Sequence, residues 1–441
     1  MPVKFDWKIF TALIISFVGY FLFGYVLHRE QFLQLVSVYL ILFAAYIFLL
    51  KRSDDRNFAW LIVAAIFFRI TFLFSIPALS DDYFRFVWDG NLITKGVNPY
   101  LQIPSVFIQQ NGNEYLQRLL DGMNSPNYFS VYPPIGQFLF AVVAFLSPNN
   151  LYGSVIILHF FCVAAEAGSI FILIKLLSQF QLPKKNVLWF ALNPLVIIEL
   201  SGNVHLEAIL IFFLLLAVYL LVLKKNLLSS IAFAFAVCIK IVPLMFLPFL
   251  IKRLKARSII YFLITAIVCA LLFFPFINNQ LISNIGSSVD LYFQKFEFNA
   301  SMYFLIRWIG FQITGYNIIQ SAGPWLALSV FVIVMILGWK EKKIELQNFF
   351  RMMQFSLTIF FLLSTTVHPW YITTLVMMSV ITGYRYAIVW SLMIVLSYAT
   401  YQTKSYNENL WLTAVEYVAV ISVLIIEIKK SLKNSIDLAV N

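Results

Sequence analysis

The chain has 441 residues, of which 61% are hydrophobic and 12% charged, with 46 phenylalanines and a mean hydropathy of +0.87. That composition excludes a water-soluble globule, and the missing polar alternation excludes a β-barrel, which leaves an all-α, polytopic integral membrane protein. The net charge of +11 falls mostly in short loops, as a membrane topology requires, so no nucleic-acid partner is inferred.

The first apolar run, near 9–27, is too long for a cleavable signal peptide and lacks a small-residue cleavage site. Spans near 32–50 and 57–77 follow, then a long polar loop over 78–131. Further spans are read near 151–177, 187–200, 204–223, 227–241, 242–251, 258–276, 317–339, 352–367, 370–382, 386–400 and 410–428. Several fall short of the ~20 residues of a full crossing, which predicts broken or half helices buried in protein. Residues 132–147 are read as a re-entrant or surface helix, because a crossing there would invert everything downstream. No repeat, low-complexity tract or soluble domain interrupts the chain, so 1–441 is read as a single integral unit.

The basic clusters are Lys4 with Lys8, Lys51-Arg52 with Arg56, Lys184-Lys185, Lys224-Lys225, Lys252-Arg253 with Lys255 and Arg257, Lys340 to Lys343, and Lys429-Lys430. Placing all of them in the cytoplasm gives one consistent topology. It gathers on the opposite face the 78–131 loop, the 201–207 and 240–243 turns, the 277–300 loop, 368–371 and the 401–409 loop. Cys162, Cys238 and Cys269 sit in apolar runs without a CxxC pattern, so neither a disulfide nor a metal site is implied.

The densest polar stretch is Ser80-Asp81-Asp82-Tyr83-Phe84-Arg85-Phe86-Val87-Trp88-Asp89-Gly90. If it is helical, Arg85 stands four residues from Asp81 and Asp89 and three from Asp82, so one arginine is ringed by three acids. A surface ion-pair cluster is the plain reading. A general base beside an anion-binding cation is the sharper one, favoured by the apolar surroundings. Asn98-Pro99-Tyr100 reads as a turn, and Tyr132-Pro133-Pro134 opens the doubtful helix.

Downstream, Asn193-Pro194, Glu199 and the run Ser201 to Glu207 break two apolar segments, and ionisable residues there should face a cavity. Glu199, His205 and Glu207 have side chains that ligate metals, but their spacing fits no strong zinc pattern. Lys240 interrupts an apolar run just before Pro243, either snorkelling or facing an anion such as a lipid phosphate; Arg307 is a weaker case of the same kind. His368-Pro369-Trp370-Tyr371 adds a titratable group to two amphipathic aromatics, and Glu166 is a candidate for an interhelical hydrogen bond.

Taken in this order on one membrane face, these pieces resemble the GT-C glycosyltransferases. They are most similar to the polyprenol-phosphate-mannose-dependent bacterial mannosyltransferases and more distantly to the mannosyltransferase of GPI-anchor synthesis. The resemblance implies a GT-C-like bundle of roughly 11–14 transmembrane helices whose long first external loop, here 78–131, is catalytic. One departure is that such enzymes commonly place that loop after the first span, whereas two further spans precede it here.

The implied reaction is an inverting sugar transfer with Asp81 or Asp82 as base. Arg85, Lys240, His368 and Arg307 would hold the donor phosphate, their charges serving in place of a metal. The sugar or acceptor would be held by Trp88, Asp89, Asn98, Tyr100, Tyr132, Glu199, His205, Glu207, Trp370 and Tyr371. No cofactor is expected, a divalent metal being the less favoured alternative. The partners are then a polyprenyl-phosphate sugar donor, a lipid-linked, glycan or protein acceptor, and the lipid bilayer. Rich Lys, Ile and Phe usage points to a bacterial inner membrane, with the site facing the periplasm or exterior. The rival reading is a transporter or flippase for a lipid-linked or small polar solute.

Overall fold

Hydrocarbon offers no hydrogen-bond partners, so an apolar chain must close its backbone on itself as helices. The computed structural model describes residues 6–294, 296–403 and 406–440; Lys4 of the first basic pair lies outside the described residues. Among the described residues the only extended pairing is an isolated bridge between Phe298 and Thr366.

The helices are α1 (Trp7–Tyr25), α2 (Phe32–Arg52), α3 (Phe58–Ile70), α4 (Asp82–Thr94), α5 (Pro104–Asn111), α6 (Glu114–Gly122), α7 (Pro134–Leu146) and α8 (Leu151–Gln179). They continue with α9 (Pro194–Gly202), α10 (Glu207–Val222), α11 (Asn226–Val237), α12 (Pro248–Leu254), α13 (Arg257–Phe273) and α14 (Leu281–Gln294). The last are α15 (Met302–Thr314), α16 (Ile319–Lys340), α17 (Leu346–Leu363), α18 (Pro369–Thr382), α19 (Tyr386–Tyr401) and α20 (Leu410–Val440).

Six of these, α1, α2, α8, α13, α16 and α20, are long and apolar enough to cross a bilayer, and α9 with α10 forms a seventh span bent by 111°. The chain is thus an all-helical, multi-span membrane protein. The starts obey ordinary capping rules: Asn150 accepts from the backbone of Gly153, Asn193 from Val196, and Pro134 and Pro194 occupy first-turn positions.

The stretch 78–131 is not the extended polar loop that its composition suggested. It contains α4, α5 and α6, and α4 is buried along most of its length. Most of its polar groups find partners inside protein, Arg85 Nε with Asp89 and the Asn91 amide with the Val87 carbonyl, while Arg85 Nη2 and Trp88 Nε1 are buried without a hydrogen-bond partner. Gly90 sets its distance from α7: a Cβ there would lie 2.1 Å from the Phe140 carbonyl oxygen. α7 has 13 residues, about 20 Å of helix against a hydrocarbon core of ~30 Å. The 277–300 loop likewise contains a helix, α14.

Buried ionic links fix the scaffold behind the broken span. Arg69 on α3 pairs with Glu166 on α8 at 2.8 Å and also donates to the Ala65 and Ala191 carbonyls. Ser201 donates to the other oxygen of Glu166, and the His159 ring lies between the carbonyls of Ser201 and Ser75. Glu166 is therefore one half of an interhelical ion pair both of whose carboxylate oxygens accept a hydrogen bond, which helps the pair persist in a low-dielectric interior, while Arg69 Nη2 has no hydrogen-bond partner.

Candidate active site

A cavity of about 660 Å³ gathers the polar turns of one membrane face. It receives Arg29 from the α1–α2 turn, Asp81 and Asp82 at the start of α4, and Asn124 and Tyr132 from the segment before α7. His205 and Glu207 come from the bend of the broken span, Lys240 from the turn after α11, His368, Trp370 and Tyr371 from the start of α18, and Tyr401 and Tyr406 from the end of α19 and beyond. The other part of its wall is apolar, with Leu210, Leu214, Phe246, Leu357, Phe360 and Phe361.

The two adjacent acids have different partners. Asp81 is the N-cap of α4, so it lies outside the helical spacing that would direct it to Arg85. It instead accepts from Arg29 at 2.6 Å, and that guanidinium also lies 5.2 Å over the Tyr401 ring. Asp82 accepts from the Asn124 amide at 2.8 Å and has no ion-pair partner among the described residues. The ring of three acids around Arg85 is therefore not formed.

On the facing wall Lys240 pairs with Glu207 and lies 4.3 Å over the Tyr371 ring. Glu207 begins α10 directly after a strained bend, where the β-branched Val204 takes a φ of 53°. The indole of Trp370 is sandwiched between imidazoles, with ring centres 3.8 Å from His205 and 4.3 Å from His368 and nearly parallel planes. Glu199 Oε2 lies 3.3 Å from His205 Nε2, but out of line for a hydrogen bond. Burial, with Lys240 and His205 nearby, holds the His368 imidazole well below its ordinary 6.5, so it is neutral at pH 7. Its Nδ1 is buried without a partner.

The cavity brings together Asp81, Asp82, Lys240, His368, Tyr132, His205, Glu207, Trp370 and Tyr371 from the sequence expectation. It does not include the others. Arg85 is tied at 2.8 Å to Asp89 and donates to the Ser125 and Tyr128 carbonyls, so both side chains are consumed in holding α4. Arg307 pairs with Glu297, and Trp88 is fully buried against Phe107. Asn98 caps its own turn and donates to the Phe276 carbonyl, and the Tyr100 hydroxyl donates to the Tyr132 carbonyl at 2.6 Å. Glu199 accepts from the Tyr398 hydroxyl behind the wall.

Within the cavity both faces of the Trp370 indole are covered by the imidazoles of His205 and His368. The residue that sequence reading passed over is Arg29. Its signal was its position: a basic residue on the face from which the charge rule removes them.

Residues 18–255 match the family described as alpha-(1->6)-mannopyranosyltransferase, N-terminal domain. That range contains Arg29, Asp81, Asp82, His205, Glu207 and Lys240, but not His368 or Trp370. A stretch of 213 residues is 27% identical to alpha-(1->6)-mannopyranosyltransferase A of Mycobacterium tuberculosis. The similarity covers 46% of this chain and 40% of that protein, so the chain spans well under half the length of the relative it matches. With the all-helical membrane fold and the polar cavity described above, the chain belongs to the alpha-(1->6)-mannopyranosyltransferase family, a GT-C type of membrane protein.

Proposed function

We propose that the chain transfers mannose from a polyprenyl-phosphate donor to a hydroxyl of a glycan or lipid-linked acceptor, with inversion at the anomeric carbon. The observation that carries this reading is one cavity with a carboxylate pair, a lysine opposite it and an apolar groove continuous with both. A polyprenyl-phosphate sugar has the same division into a polar head, an anionic phosphate and a hydrocarbon tail.

In this reading Asp82 removes the acceptor proton as the acceptor oxygen bonds to C1 of mannose. The bond from C1 to the phosphate oxygen breaks, and polyprenyl phosphate leaves with its added negative charge. Asp82 is assigned as the base because its partner is a neutral amide, whereas the Asp81 carboxylate is engaged by the Arg29 guanidinium. Lys240 exchanges Glu207 for the phosphate and stabilises the departing charge in a water-poor site. His368 and Tyr132 contribute hydrogen bonds, and Tyr401 and Tyr406 supply ring faces at the mouth. The tail lies against Leu210, Leu214, Phe246 and Phe361.

We place the cavity on the non-cytoplasmic face of a bacterial inner membrane, since the basic clusters lie in the turns at the other ends of the spans. The charge needed for the leaving group comes from Lys240, so the reaction proceeds without a metal. The test is mannose transfer from purified polyprenyl-phosphate mannose to a synthetic α-mannoside, with the protein in detergent, with and without EDTA. Wild-type transfer that survives EDTA and is lost in Asp82→Asn supports the proposal. Equal rates for wild type, Asp81→Asn and Asp82→Asn would defeat it, as would solute movement across liposomes without any transfer.

A further inference from the structure

A second cavity, of about 300 Å³, opens at the other end of α2. α2 has 21 residues and is therefore ~30 Å long, the thickness of a hydrocarbon core. Its first turn adjoins the loop bearing Arg29, and its last two turns supply Ile47, Leu50 and Lys51 to the second cavity. The second cavity thus lies about the length of α2 from the Arg29 side of the first, a length that would bring it to the opposite layer of lipid phosphates.

Its lining is amphipathic. Lys51 and Lys185, with Ser53 and Asn186, form a polar rim over an apolar floor of Ile47, Leu50 and Trp189. Neither lysine takes part in an ion pair among the described residues. Two nearby acids are engaged elsewhere, Asp54 accepting from the backbone of Arg56 and Asn57 and Glu427 from the backbone of Arg385 and Tyr386, while Asp55 stands exposed in the same turn as Ser53.

The floor is held in place. The Trp189 carbonyl accepts from the Tyr46 hydroxyl at 2.8 Å, and the Arg385 guanidinium lies 4.1 Å over the indole. A preformed cation-rimmed hollow with an apolar floor suits a phosphate attached to a hydrocarbon chain.

We propose that this cavity binds the headgroup of an anionic phospholipid. The phosphate lies between Lys51 and Lys185, the Asn186 amide donates to the polar head, Ser53 Oγ (whose proton goes to the Leu50 carbonyl) accepts from a headgroup hydroxyl, and the first part of an acyl chain lies along Ile47 and Leu50. The proposal does not depend on the transfer chemistry of the larger cavity.

The experiment uses the purified full chain in lipid-free detergent. It is titrated with dihexanoyl phosphatidylglycerol, dihexanoyl phosphatidylcholine or inorganic phosphate, reading the unfolding midpoint and the lipid retained in native mass spectrometry. Phosphatidylglycerol should raise the midpoint and remain bound. Lys51→Ala with Lys185→Ala should weaken it at least ~10-fold, and Lys51→Glu with Lys185→Glu should abolish it. Lys224→Ala with Lys225→Ala removes an exposed basic pair outside the cavity and should change nothing.

Both cavity lysines are exposed, so the unliganded midpoint and mannose transfer in detergent should remain those of wild type. An equal response to inorganic phosphate would overturn the lipid assignment in favour of a soluble ligand. An equal response to phosphatidylcholine, or equal loss from both lysine pairs, would overturn the site itself.

Discussion

Arg29 donates to Asp81 across 2.6 Å, joining the α1–α2 turn to the start of α4 over 52 positions of chain. The pair closes one side of the cavity mouth and makes two adjacent carboxylates chemically unequal. Asp81 faces a permanent cation, and Asp82 faces a neutral amide.

That inequality predicts an ordered mutation series. Asp82→Asn should lower kcat by ~10²–10⁴, the range of a lost general base. Asp81→Asn should lower it less. Arg29→Met should resemble Asp81→Asn, and the Arg29→Met/Asp81→Asn double variant should be no worse than either single one, because each removes the same contact. Initial rates with a synthetic acceptor measure this. A larger loss in Asp81→Asn than in Asp82→Asn would assign the base to Asp81.

The Lys240–Glu207 pair predicts opposite effects on donor affinity. Lys240→Ala should raise the KM for polyprenyl-phosphate mannose ~10-fold or more with little change for the acceptor. Glu207→Gln removes the competing carboxylate and should lower the donor KM. Equal shifts in donor and acceptor KM for Lys240→Ala would contradict the phosphate role.

His368 gives a prediction with a definite sign. Its folded value lies below the ordinary 6.5, so the unfolded chain binds the proton more readily. The stability from the neutral ring is therefore complete above about 6.5 and is lost as pH falls through that value towards the folded one. Unfolding midpoints measured in detergent from about pH 7.5 downward should fall more steeply for wild type than for His368→Gln. Parallel curves would show that this ring does not titrate on unfolding.

The close approach of α4 and α7 predicts a cost for one methyl group. In Gly90→Ala the new carbon would meet the Phe140 carbonyl, so the helices must separate, at a cost of about 1–3 kcal/mol. Because α4 begins at Asp82, transfer should fall along with the unfolding midpoint. An unchanged midpoint would mean that the pair has room to adjust.

Hydropathy revealed the membrane class and most helix positions because hydrocarbon leaves an apolar backbone few alternatives. The charge rule also revealed which turns share a face, and the cavity draws on turns from that set. What composition concealed was the burial of α4 within the 78–131 stretch, where Asn124, Ser130 and Gln137 reach its carboxylates. It also concealed the direction of individual side chains. Arg85 and Asp89 looked like site residues from spacing, but they satisfy each other away from the cavity. Arg29 stood alone in a short turn, and only the folded chain brings it to Asp81.

The bend at 203–206 has an electrical consequence. A continuous span would bury its peptide dipoles end to end, whereas here the 16-residue α10 starts afresh at the cavity wall with no side-chain cap. The aligned peptides place roughly half a positive charge at that terminus, fixed in the backbone and independent of any side chain. The leaving phosphate would therefore meet a backbone field, partly offset by Glu207 in the same first turn, so Lys240→Ala should leave a slow enzyme rather than an inert one.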